Sequence, residues 1–130
     1  MTPDLEASIL RQSADDAEYV ETCREMQLAL DEDWQIEARL RGETIPDFVI
    51  RKLRPEWPLM VIIARKEGGE ELSLRREQPL TFEAVHKMSS SLMRLAHTYG
   101  LEWLNWSEFD GHIYRSLHRT PLAWSSEWPD

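Results

Sequence analysis

The stretch Thr81–Trp106, TFEAVHKMSSSLMRLAHTYGLEWLNW, decides how the rest of the chain must be read. Val85, Met88, Leu92, Leu95 and Tyr99 recur at steps of three and four, with Met93 and Ala96 widening the stripe. That is the period of a helix with one apolar side. Thr81 can cap it, Glu83 places a negative charge in its first turn, and Gly100 stands where a left-handed residue ends a helix. Leu101, Trp103 and the residues after them then read as a strand. Lys87, Ser90, Ser91 and Arg94 line the opposite, polar side, so the helix covers something on one face only.

The next most legible piece is Leu59-Met60-Val61-Ile62-Ile63-Ala64, a continuous apolar run rich in β-branched residues. Such a run predicts a central strand covered on both faces. Gly68-Gly69 makes the turn, and Leu72 and Leu74, alternating with Ser73 and Arg75, return as a more exposed strand. The helix stripe is expected to pack on Val61, Ile63, Leu72 and Leu74. Upstream, Trp34, Ile36, Ala38 and Leu40 alternate with Gln35, Glu37, Arg39 and Arg41, which reads as a half-buried strand, with a helix through Leu40 as the competitor. Phe48-Val49-Ile50 fits a short strand or one turn of helix begun at Pro46 equally well.

At the front, Thr2-Pro3-Asp4 is a helix-start signal, predicting a short helix to about Gln12 with Leu5 and Ile9 on one side. Ser13 can cap a second helix whose stripe is Tyr19, Cys23, Met26 and Leu30. Cys23, the chain's single cysteine, falls inside that stripe and reads as a small buried hydrophobe. One cysteine forms no internal disulfide and no zinc site by itself.

Together these elements predict a single domain over residues 1–130: an acidic helical part (1–33), an α+β core (34–108) and an aromatic C-terminal arm (109–130). The core is expected to be an antiparallel sheet of about four strands with helices on one face, a ferredoxin-like two-layer sandwich. With 130 residues there is length for one ordinary core and not two.

Charge narrows the partners. Residues 1–47 carry thirteen acidic and four basic side chains, which accounts for the whole net charge of −9. An acidic front end repels a nucleic-acid backbone and attracts a basic protein surface. Asp15, Asp16, Glu18, Glu21 and Glu25 are the candidate steering residues, and Trp124 and Trp128 of the C-terminal arm are candidate anchors. Those tryptophans also fit a fold-back onto the domain's own core. A homodimer is a further option for this aromatic surface. No apolar run reaches the length of a membrane span, and MTPDLEASIL lacks the basic-then-apolar pattern of a secretory signal, so a cytoplasmic location is expected.

Chemistry is thinly signposted. His86 and His97 lie eleven apart on one helix, roughly 16 Å along its axis, too far for a shared metal. Asp110, His112 and His118 have no HExxH or paired-Cys context. Ser89–Ser91 sit mid-helix on what reads as a solvated face, with no nucleophile-elbow motif. Gly68-Gly69 lacks the features of a phosphate cradle. No cofactor and no metal is therefore expected.

The passage FEAVHKMSSSLMRLAHTYGLEWLNWSE resembles the final helix and strand of the ribonuclease E inhibitor family, the B-type regulators of that enzyme. Their helix ends in Leu-x-x-Leu-Ala, followed by a glycine break and Glu-Tyr-Asp-Gly-Trp. Leu92, Leu95 and Ala96 fit the helix, Glu102 and Trp106 match the strand, Trp103 replaces a tyrosine, and Leu104 and Asn105 depart from Asp-Gly. The resemblance implies a ferredoxin-like domain in a small acidic cytoplasmic protein that inhibits a ribonuclease by binding protein instead of RNA. The reading adopted is a non-enzymatic regulator acting by protein–protein contact. An immunity or antitoxin-like protein, and a small enzyme with a pocket around His97, Asp110 and His112, are the alternatives.

Overall fold

The computed structural model describes residues 4–108. They form α1 (Leu5–Glu25), β1 (Asp33–Gly42), α2 (Asp47–Leu53), β2 (Leu59–Ala64), β3 (Glu70–Pro79), α3 (Phe82–Thr98) and β4 (Glu102–Glu108). The four strands make one sheet in the order β2-β3-β1-β4, and every neighbouring pair is antiparallel. From β1 onward the element order is βαββαβ, so the sheet is the ferredoxin-like sandwich, with α1 added in front.

The long helix forms as its sequence predicts. The Thr81 side chain accepts the Ala84 N–H at 3.3 Å, and Gly100 takes the left-handed conformation (φ 72°) just past the helix end. Val85, Met88, Leu92, Met93 and Ala96 are buried. Val85, Met88, Leu92 and Ala96 meet Ile36, Ala38 and Leu40 of β1 and Leu72 and Leu74 of β3, all fully buried, and Trp106 of β4 in one core. Leu95 and Tyr99 pack at its margin. Burying one such side chain contributes about 1.5–3 kcal/mol, so this layer is the main source of stability.

The N-terminal region departs from expectation. Two helices are replaced by one, continuous through Ser13, with Asp4 as the cap accepting the Glu6 N–H at 3.1 Å. Nothing in ADDAE breaks a helix, so a residue able to cap is tolerated inside one. The helix ends at Gln27, a non-glycine residue at φ 64°. Gln27 N–H donates to Arg24 O and Leu28 N–H to Cys23 O, the paired bonds of a Schellman ending.

β1 runs where the alternation places it. The open segment at 46–53 is a helix: Pro46 sets its start, and Val49 and Leu53, four apart, go into the core.

The β2–β3 hairpin forms, with Gly68 and Gly69 both at positive φ, but its placement reverses the expectation. The apolar run Leu59–Ala64 is the edge strand, with Leu59, Ile62 and Ile63 exposed. The mixed-polarity strand β3 is interior, with Ser73 and Arg75 buried as well as Leu72 and Leu74. Of the four residues expected beneath the helix stripe, Leu72 and Leu74 are covered, whereas Val61 and Ile63, opposite Ser73 and Glu71, lie on the other face of the sheet. Pairing order, not hydrophobicity alone, decides which strand is central.

Candidate functional site

α1 shows how one turn of phase separates structure from surface. Ile9, Asp16, Val20 and Cys23 are its buried residues. Asp15, Glu18, Glu21 and Glu25 are exposed and, at 100° per residue, centre on the opposite side of the helix. Four of the five acidic residues assigned to partner steering are therefore presented together. Asp16 is the correction: it is completely buried and has no access to a partner. Its position seven after Ile9 and four before Val20 is the sequence signal for that burial.

The Asp16 carboxylate is held from three elements. It accepts Ser89 Oγ–H at 2.6 Å from α3, Trp106 Nε1–H at 2.7 Å from β4, and Gln12 Nε2–H at 2.9 Å from its own helix. His86 Nδ1 lies 3.9 Å away, its ring stacked on Phe82 at 5.4 Å. Next along the seam, Trp103 Nε1–H donates to Gln12 Oε1 at 2.9 Å, and Tyr19 OH accepts the Glu108 N–H at 2.9 Å. A buried carboxylate is tolerable only with such partners, and this set fixes the roll of α1 about its axis. Ser, His and Asp are the residue types of a nucleophilic site. Here Ser89, expected on the solvated face, is buried and directs its hydroxyl at the carboxylate and not at the imidazole, so the arrangement holds a helix in place.

The sheet face away from the helices carries a charged layer. Glu37, 2% exposed, accepts from Arg39 Nη2 at 2.8 Å and lies 3.9 Å from Arg75. Glu71 accepts from Arg65 at 2.7 Å and lies 3.9 Å from Arg39. Burial pushes the Glu37 carboxyl up to about 7, with Arg39 and Arg75 pulling the other way. Alternation in β1 marks Glu37 as outward, and outward from the helices is still buried here.

Between the end of α2 and α3 lies a depression of about 400 Å³. Lys52, Lys87 and Arg76 face it against one carboxylate, Glu56, over a floor that includes Trp57 and Leu92. The Arg76 guanidinium sits 4.2 Å above the Trp57 ring and bonds Gln78 and Glu56. Burial lowers its pKa, with Glu56 opposing. Its charge would suit an anion.

Cys23 is the buried hydrophobe its stripe implies: burial raises its thiol to about 11, so the reactive thiolate is suppressed. His97 is exposed on α3, and Asp110, His112, His118, Trp124 and Trp128 lie outside the described residues. Among the described residues no three His, Cys, Asp or Glu side chains come together as metal ligands, and no helix is long and apolar enough to cross a membrane.

No protein-family model matches the chain, and no characterised protein matches it by sequence.

Proposed function

We propose that this chain is a non-catalytic regulatory protein that acts by binding another protein through the outward face of α1. The observation that carries the reading is the joint exposure of Asp15, Glu18, Glu21 and Glu25 on a helix whose roll is locked by the buried Asp16. Over the second half of this roughly 30 Å helix, from Asp15 to Glu25, the four carboxylates follow at about one per turn, and such a row steers a basic surface toward itself. The same charge disfavours nucleic acid as the direct ligand. The likeness of the Phe82–Glu108 segment to ribonuclease E inhibitors suggests the kind of partner, a nucleic-acid-processing enzyme with a basic surface, and a cytoplasmic setting.

The test replaces Asp15→Asn, Glu18→Gln, Glu21→Gln and Glu25→Gln together. Partners captured from the native cell by the wild type should associate with the variant on the order of tenfold more slowly, with a flatter salt dependence. Cleavage of a fluorogenic RNA by ribonuclease E, with and without the protein, examines the enzyme class directly. An on-rate that ignores all four carboxylates removes the reading.

A further inference from the structure

We propose that β2 is a dimerisation edge, pairing antiparallel with β2 of a second copy of this chain about a two-fold axis at Val61. No α1 carboxylate takes part, so this edge and the α1 face stand or fall separately.

Among the described residues both ends of the sheet are edges, and they are built differently. β4 carries Glu102 and Glu108 and a bulge at Leu104, where the register on β1 shifts between Arg39 and Leu40. Charges and bulges of this kind discourage strand addition. β2 has neither: Leu59–Ala64 contains no charged residue, pairs with β3 in unbroken register, and exposes Leu59 (42%), Ile62 (45%) and Ile63 (40%). An apolar edge strand left in this state is a template for another strand.

The phase of the hairpin says which backbone groups are offered. Arg65 N–H donates to Gly69 O at 3.0 Å, so Arg65 faces β3. With the period of two, Leu59, Val61 and Ile63 also face β3, and Met60, Ile62 and Ala64 point their N–H and C=O outward. Among antiparallel registers, the one centred on Val61 sets Met60 of one copy opposite Ile62 of the other as a hydrogen-bonded pair, twice over. It sets Leu59 against Ile63 on the same face, so every rung is apolar, and it leaves Pro58 to the outermost rung. Centring on Ile62 would put Leu59 against Arg65, and centring on Met60 would put Ile62 against Pro58, which has no N–H to give.

Charge selects a second copy in antiparallel orientation. Glu56 lies before β2 and Lys66 after it, both exposed. Antiparallel self-pairing brings Glu56 of each copy toward Lys66 of the other at both ends, whereas a parallel pair would bring like charges together. Each copy carries a net charge of −9, so association should strengthen as salt is added.

Val61 meets itself as a non-hydrogen-bonded pair, with Cα atoms about 4.5 Å apart, within reach of a disulfide. The full chain carrying Val61→Cys, mildly oxidised, should give a covalent dimer, and Ile62→Cys should not. The buried Cys23 thiol supplies the background control. Sedimentation of the wild type should show a dimer that tightens with salt, and Ile62→Lys should weaken it at least about tenfold while leaving the circular dichroism unchanged. Cross-linking through Ile62→Cys in place of Val61→Cys overturns the register, and a wild-type monomer at high concentration overturns the proposal. Exchange protection of the Met60, Ile62 and Ala64 amides within such a monomer would assign the edge to another segment of the same chain.

Discussion

Asp16 Oδ1 accepts the Trp106 indole N–H at 2.7 Å across ninety positions of sequence, which ties the added helix α1 to the last strand of the ferredoxin-like unit. Ser89 closes the same carboxylate from α3 at 2.6 Å. Removing the acceptor leaves an indole N–H, a hydroxyl and an amide without it. Asp16→Ala should therefore cost about 3 kcal/mol or more. Asp16→Asn should cost less, because its carbonyl oxygen can still accept while its amide nitrogen faces donors. Urea denaturation ranks them. Equal stability of wild type and Asp16→Ala would show that the seam does not hold α1.

The same residue shows where sequence stops being a guide. α3 is legible because its stripe, cap and glycine stop agree, and β1 because its alternation is strict. Asp16 is misplaced because Ser13, three residues earlier, fits a cap, which splits α1 and hides the stripe from Ile9 to Cys23. The β2 run reads as central because apolar content reports burial on average and says nothing of strand order. Glu37 and Ser73 are buried on the sheet face away from the helices, a layer that alternation within one strand cannot reveal. Those errors share a cause: each concerns which elements become neighbours, a property of the assembled sheet.

Gln27 ends α1 in the left-handed region at φ 64° and is exposed, so its side chain has no compensating role in the core. Glycine takes this conformation without the strain a Cβ brings. Gln27→Gly should raise stability by about 0.5–1 kcal/mol, read as a higher midpoint in urea with an unchanged slope. A loss of stability would mean that the Schellman ending is not the state α1 adopts.

Two adjacent glycines in the β2–β3 turn should respond differently to alanine. Both have positive φ, 101° at Gly68 and 84° at Gly69. A Cβ at Gly68 meets nothing within 4 Å, whereas one at Gly69 falls 2.8 Å from the Gly42 carbonyl oxygen, a backbone atom that cannot swing aside. Gly68→Ala should cost about 1 kcal/mol, from backbone conformation alone. Gly69→Ala should cost about 2 kcal/mol or more, because β1 must also shift. Thermal unfolding of the pair checks the ordering, and equal losses would remove the proposed contact.

Glu37 gives the protein a pH dependence of unusual sign. Its carboxyl sits at about 7 in the folded state against an ordinary 4.5, because burial penalises the charge more than Arg39 and Arg75 favour it. The folded chain therefore keeps this proton over a range in which the unfolded chain has lost it. Where the native state binds more protons, stability falls as pH rises. The contribution is fully present below about pH 4.5 and is lost progressively up to about pH 7. A tenfold change in proton affinity corresponds to about 1.4 kcal/mol, so the shift from 4.5 to about 7 caps the contribution at roughly 3–4 kcal/mol. Glu37→Gln carries no titrating group, so the difference in stability between wild type and variant should move against the wild type as pH climbs from 4.5 to 7, and level off above. Guanidinium denaturation at closely spaced pH values measures that difference. A difference that moves the other way would mean that Arg39 and Arg75 hold Glu37 ionised, and that the charged layer beneath the sheet is a set of paired ions and not a neutral carboxyl among cations.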